Sequence, residues 1–201
     1  MRILPLALLL TLVPVAATAQ EAARTRGPEF ALGAGFGTLR SYYEFDDSGE
    51  NETESTATKT GAESFHGRAL WPVSRKVMLG VEAYYGGGGE SGRRIQDIGA
   101  MLAFRWAPNL DKGFTVRGGY GIVYSDIEPV SLEGEVIDGD LTGMLVSVGF
   151  GWNFPIGGSF SLEPMLRADI APLGSFQPRE DLLFGNIINT RYTIAVSLVW
   201  H

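Results

Sequence analysis

The sequence predicts an all-β chain: an eight-stranded antiparallel transmembrane β-barrel with short periplasmic turns and longer extracellular loops. Three observations predict it. Large apolar residues alternate with small or charged ones in eight separate segments. The connections between segments alternate long and short, and all four tryptophans end the segments that run toward the short connections.

Before the first segment, MRILPLALLLTLVPVAATAQ carries Arg2, an apolar run from Ile3 to Val15, and Ala17 and Ala19 ahead of Gln20. A run this short ending in an A-x-A site reads as a secretory signal peptide over residues 1–19. Residues 20–28 are then a short periplasmic N-terminal segment, and 29–201 are the barrel.

The segments follow in order. EFALGAGFGTL sets Phe30, Leu32, Ala34 and Phe36 against Gly33, Gly35 and Gly37. ESFHGRALW sets Phe65, Gly67, Ala69 and Trp71 against Ser64, His66, Arg68 and Leu70. VMLGVEAYY sets Val77, Leu79, Val81, Ala83 and Tyr85 against Met78, Gly80, Glu82 and Tyr84. IQDIGAMLAFRW sets Ile98, Leu102, Phe104 and Trp106 against Asp97, Gly99, Met101 and Arg105. FTVRGGYGIVY opposes Val116, Tyr120, Ile122 and Tyr124 to Thr115, Arg117, Gly119 and Gly121. TGMLVSVGFGW opposes Met144, Val146, Val148, Phe150 and Trp152 to Leu145, Ser147, Gly149 and Gly151. FSLEPMLRA opposes Phe160, Leu162 and Leu166 to Ser161, Glu163, Met165 and Arg167, and RYTIAVSLVWH opposes Tyr192, Ile194, Val196, Leu198 and Trp200 to Arg191, Thr193 and Ser197. Frequent glycine and a period of two exclude helices here.

Which face points inward follows from volume. A closed eight-stranded sheet has room inside for side chains and little more. The Phe, Tyr and Trp of the apolar faces would overfill it, so the Gly-rich, charged faces line the interior. Large apolar side chains can face outward only into hydrocarbon. A soluble, exported lipocalin-like barrel is the alternative, and it would leave an Arg, Glu and Gly surface around a cavity crowded with tryptophan. The long connections cover about residues 40–61, 86–93, 125–140 and 170–189, and the short ones 72–76, 107–113 and 153–159. Trp71, Trp106, Trp152 and Trp200 then form a girdle at one membrane–water interface. Tyr85, Tyr124 and Tyr192, with Tyr43 and Tyr84, form the other.

Composition narrows the function. A net charge of −7 offers no basic stripe for nucleic acid, and the absence of cysteine excludes a disulfide scaffold. With two histidines and no cysteine, no metal site and no cofactor are expected.

These features together resemble the small outer-membrane β-barrels of Gram-negative bacteria, the OmpX-like and OmpA-barrel-like proteins often grouped as a porin family. The resemblance rests on the signal segment, the eight alternating runs and the terminal RYTIAVSLVWH. It implies a cell outer membrane location with both termini periplasmic, and partners that include outer-membrane lipid with lipopolysaccharide, the barrel assembly machinery and a host or surface ligand. Family members usually end in an aromatic residue; Trp200 matches it and is followed by His201. No peptidoglycan-binding domain is expected after the barrel.

The expected lumen network comprises His66, Arg68, Glu82, Asp97, Arg105, Arg117, Glu163, Arg167 and Arg191, paired across strands to neutralise charge in a narrow space. A narrow polar channel for water or small solutes is the alternative reading of these residues. An outer-membrane lipid-modifying enzyme is a second, with Ser64, His66 and Glu82 or Asp97 as nucleophile, base and orienter. Their same-strand spacing and mid-strand position argue against it, so no catalytic residue is expected. GGGGESG at residues 86–92 lacks the lysine of a phosphate loop and reads as a flexible hairpin. The loops at 42–59 and 125–140 carry six acids each, a composition suited to solvation or to divalent cations bridging to phosphorylated lipid.

Overall fold

The computed structural model describes residues 27–46, 53–90, 93–109, 113–132, 135–173 and 183–201. The signal segment 1–19, residues 20–26 and the central parts of the long connections lie outside the described residues. So do the side chains of 43–58, 90–94, 127–140 and 174–186, which include Tyr43 and most of both acidic loops.

Nine strands occur in order: β1 (Glu29–Asp46), β2 (Thr53–Pro72), β3 (Val77–Glu90), β4 (Arg93–Trp106), β5 (Phe114–Leu132), β6 (Glu135–Trp152), β7 (Phe154–Gly157), β8 (Phe160–Leu173) and β9 (Leu183–Trp200). Eight are barrel staves. The four-residue β7 is a small flap on the third short turn, pairing only with the start of β8. Each stave pairs antiparallel with its neighbours, and β1–β9 and β6–β8 pairing closes the ring. Closure leaves no strand edge among the staves, the condition for sheet in hydrocarbon.

The register fixes the barrel's geometry. The pairs starting at Trp200 run through Phe30, Ala69, Val81, Leu102, Tyr120, Val146 and Ile170 and return to β9 at Thr190, ten positions from the start. Eight strands with that stagger tilt by roughly 40° and enclose a space that side chains fill. Gly113 at φ +71° and Gly158 at φ +55° supply the left-handed positions in two of the short turns.

Inside and outside are assigned by burial. Leu102 is 72% exposed and Phe36 70%, whereas Glu29, Glu163 and Ser197 are fully buried. Along β9, Tyr192, Ile194, Val196 and Leu198 are exposed while Arg191, Thr193, Ala195, Ser197 and Val199 are buried. Sheets in water bury the opposite set, so this is a transmembrane barrel of the outer-membrane type.

The staves are 14 to 20 residues long, beyond the ~9–11 residues that a tilted strand needs to cross hydrocarbon. Beyond the membrane the pattern inverts. Leu39 points in and Arg40 out on β1, and Leu141 points in and Thr142 out on β6; Val123 points in on β5 at the level of the exposed Tyr124. These inward residues join Ile95, Leu145, Leu173 and Ile187 in one buried apolar cluster. The interior, expected to be Gly-rich and charged with a few apolar residues, is so at the level of the ion pairs, and it is capped at the long-connection end by a core of the soluble kind.

The expected long connections are corrected as well: β1 runs to Asp46 and β2 starts at Thr53, and β5 runs to Leu132 and β6 starts at Glu135, so most of 40–61 and 125–140 is strand. The glycine run follows suit. Gly86–Gly89 and Glu90 are the end of β3, paired with β4 from Arg93, and only 91–92 remain between the strands. Glycine is required at the start of that run by crowding, because a Cβ on Gly86 would collide with the Arg191 guanidinium and the Tyr84 hydroxyl. The wall is thinned there to admit a buried ion pair.

Candidate functional site

The lumen charges divide into two clusters along the barrel axis. The cluster near the short turns is built on Glu29 and Glu163, both fully buried. Arg68 Nη2 donates to Glu29 Oε1 at 3.2 Å and to Glu163 Oε2 at 3.0 Å. Arg105 Nη1 lies 3.2 Å from Glu29 Oε2, and Arg117 pairs with both carboxylates. Thr115 donates its hydroxyl to Glu163 Oε1 at 2.5 Å. His201 approaches from below, with Nδ1 3.9 Å from Glu29 Oε2 and Nε2 3.4 Å from Ser161 Oγ.

The second cluster lies toward the apolar cap. Arg167 Nε donates to both oxygens of Asp169 at 2.7 and 3.0 Å, and its Nη1 to Glu82. Arg191 Nη2 donates to Asp97 Oδ2 at 2.7 Å, and Ser125 donates to Asp97 Oδ1 at the same distance. The Tyr84 ring separates the two arginines, whose guanidinium carbons lie 5.1 and 5.3 Å from its centroid. Cation–π contacts of this kind strengthen when water is excluded. Tyr84 is therefore a lumen residue rather than a member of the girdle, as its phase with Glu82 and Gly80 requires.

All nine residues expected in the network lie inside the barrel. Two further carboxylates join them, Glu29 and Asp169. Both were legible by phase: Glu29 leads the series Ala31, Gly33, Gly35, and Asp169 follows Arg167 by two. With them the described lumen holds five arginines (Arg68, Arg105, Arg117, Arg167, Arg191) and five carboxylates (Glu29, Glu82, Asp97, Glu163, Asp169). The nine expected residues alone hold five arginines against three carboxylates, an excess that Glu29 and Asp169 remove. Each cluster alone is unbalanced, three arginines to two carboxylates below and two to three above, so the clusters are matched as a pair.

Little space remains. The cavity between the clusters, lined by Arg68, Glu82, Met101, Arg117, Met165 and Arg167, holds about one water molecule. His66 Nε2 sits 2.9 Å from Ser197 Oγ across β1, while Ser64 Oγ has no hydrogen-bond partner. Ser64 and His66, which strand spacing holds apart, do not pair; His66 meets Ser197 instead. Both members are buried at mid-barrel, and Gly33 packs against them so closely that a Cβ there would strike the imidazole. No cluster of three or more metal-ligating side chains occurs among the described residues.

On the outside, Trp71, Trp106, Trp152 and Trp200 lie at the short-turn ends of β2, β4, β6 and β9. Trp200 stacks on Phe30 with centroids 5.9 Å apart, and Phe114 packs on Trp152 at 6.1 Å. Tyr124 and Tyr192 are exposed toward the other rim, and the partly exposed Tyr85 donates to Gln96 at 3.4 Å. From Trp200 to Tyr192 is eight residues, ~26 Å along the strand and ~20 Å along the membrane normal at this tilt.

No protein-family model matches the chain, and no curated protein matches it. Among solved structures it is similar to Ail of Yersinia pestis, at 10% identity and a TM-score of 0.49 over 87% of this chain and 100% of that one. It is also similar to Neisserial surface protein A, at 13% identity and 0.47 over 86% and 98%. The outer membrane enzyme PagL is similar at 12% and 0.43 over 84% and 97%. An enzyme and surface proteins share the architecture, which says nothing about which activity this chain has. Its own burial and pairing place it in the outer membrane as an eight-stranded antiparallel barrel.

Proposed function

We propose that the protein is a non-conducting, non-enzymatic outer-membrane barrel that contributes to barrier integrity and makes its contacts through its outward surface. The observation that carries this reading is the filled lumen: two charge-matched clusters below and an apolar cap of Leu39, Ile95, Val123, Leu141, Leu145, Leu173 and Ile187 above. An ion entering from outside would have to shed water to pass the cap, at a cost of several kcal/mol. A charged solute would then have to break pairs that hold each other.

The outward partners are outer-membrane lipid, including lipopolysaccharide, and a surface ligand met by the acidic strand ends and the connections between them. Six acids in each of 42–59 and 125–140 favour a cationic ligand, or one bridged by divalent cations, over a bare polyanion. Assembly through the barrel assembly machinery accords with the amphipathic terminal strand. The buried His66–Ser197 pair serves as a structural hydrogen bond, since neither side chain meets a substrate path.

Planar-bilayer recording tests the reading. The wild-type protein is expected to give no steady conductance. A small stable conductance altered by Arg105→Ala or Arg117→Ala would assign the lumen to transport, and a lipid hydrolase activity lost in His66→Ala would make the protein an enzyme.

A further inference from the structure

The outer wall of β1, β2, β8 and β9 combines two features that the lumen does not use. The first is a like-charge pair. Arg40 and Lys59 are direct register partners on β1 and β2, and both are exposed on the outward face. Like charges directly opposite in a sheet destabilise it, and this pair stands on a protein of net charge −7. Arg40 lies ten residues above Phe30, the partner of Trp200. That separation is ~33 Å along the strand and ~25 Å along the normal, the full height of a barrel's apolar band. The two cations therefore emerge at the headgroup level of the outer leaflet. Among the residues whose side chains are described, Glu63, exposed on the same face of β2 below Lys59, leaves two cations against one carboxylate.

The second feature is an open groove of about 410 Å³ beneath them, lined by Phe36, Thr38, Phe150, Leu166, Ala168 and Tyr192 among others. Thr38 is the outward residue immediately below Arg40 on β1, so groove and cations are continuous. Ala168 lowers the wall between flanking Phe, Leu and Tyr side chains. Further down, Phe150, Leu166 and Ile194 carry the same depression to Trp152.

We propose that this wall binds one phosphorylated glycolipid of the outer leaflet, with a phosphate against Arg40 and Lys59 and an acyl chain in the groove under Tyr192. An anion between the two cations removes their mutual repulsion, and a chain fills apolar surface that the barrel itself leaves uncovered. The two contacts are set along the normal in the order in which such a lipid presents headgroup and chain. The site rests on the proposed reading that outer-membrane lipid is a partner of the outward surface, and it is independent of whether the lumen conducts.

Native mass spectrometry of the detergent-solubilised barrel titrated with diphosphoryl lipid A tests it, each variant first being shown to keep wild-type β-sheet circular dichroism. One lipid per barrel is expected. Arg40→Ala with Lys59→Ala is expected to weaken binding at least about tenfold, as is removal of the lipid phosphates. Ala168→Trp fills the groove with both cations intact and is expected to weaken binding as much, with Thr38→Trp as the second groove variant. Binding within about twofold of wild type in the double alanine variant, or in both tryptophan variants, would overturn the proposal. Equal binding of phosphatidylglycerol, or competition by inorganic phosphate, would reduce the site to general anion attraction and overturn it too. A disulfide-linked dimer formed by Ala168→Cys in lipid bilayers would give the groove to a second copy of the chain instead.

Discussion

Replacing Glu163 with glutamine tests the charge matching of the lumen at its most demanding point. The carboxylate is fully buried and accepts from Arg68 at 3.0 Å, from Arg117 and from Thr115 at 2.5 Å. The amide has nearly the same shape, so no cavity forms. It can also keep its hydrogen bonds, turning its NH2 to the Thr115 hydroxyl and its oxygen to the guanidiniums. What is removed is charge. The lower cluster goes from three arginines and two carboxylates to three and one, inside a space with room for about one water. Breaking a buried pair by removing one partner costs about 3–5 kcal/mol, because the remaining charge stays buried. Urea unfolding and refolding of the barrel in short-chain lipid vesicles, followed by tryptophan emission, measures that loss. Glu163→Gln combined with Arg117→Met restores the balance and is expected to recover about 2 kcal/mol or more of it. A loss below about 1 kcal/mol in the single variant, or strict additivity in the double, would refute the reasoning that the clusters hold the barrel by mutual neutralisation.

Two further outcomes follow from the wall and the cap. Leu102 is 72% exposed at mid-height, so Leu102→Arg is expected to cost about 2–4 kcal/mol in a bilayer, whereas Thr142→Arg beyond the band costs about 0–1; the same vesicle unfolding assay reads both. Shaving the cap with Leu39→Ala, Leu145→Ala and Leu173→Ala together is expected to admit water and raise single-channel conductance from silence to small discrete steps, while an unchanged silent trace would place the barrier in the ion-pair clusters alone.

The strands, their faces and the common end of the tryptophans were legible because period-two alternation needs no knowledge of partners. Arg68, Glu82 and Arg167 were legible as lumen residues for the same reason. Glu29 and Asp169 carry the same phase but sit at segment ends, Glu29 as the first residue of EFALGAGFGTL and Asp169 just past FSLEPMLRA, where no flanking pair of apolar residues marks the alternation. Which carboxylate meets which arginine depends on the ten-position stagger of the closed ring, and so does the meeting of His66 with Ser197 rather than Ser64. No segment in isolation encodes that stagger. Tyr84 misled because tyrosine is common at interfaces, although its phase pointed inward. The apolar cap was hidden for a different reason. Leu39, Val123 and Leu145 share a face with the lumen charges, and only the height at which each strand leaves hydrocarbon decides whether the buried side is polar or apolar.

The claim beneath all of this is that hydrocarbon surrounds the large side chains. Tryptophan quenching by lipids brominated at successive acyl positions measures it directly in the reconstituted wild-type protein. Trp71, Trp106, Trp152 and Trp200 stand at one level near the short turns, so emission should be quenched most by bromine close to the headgroup and progressively less by bromine near the chain terminus. Emission indifferent to every brominated lipid, from a protein that stays monomeric in detergent-free buffer, would contradict it.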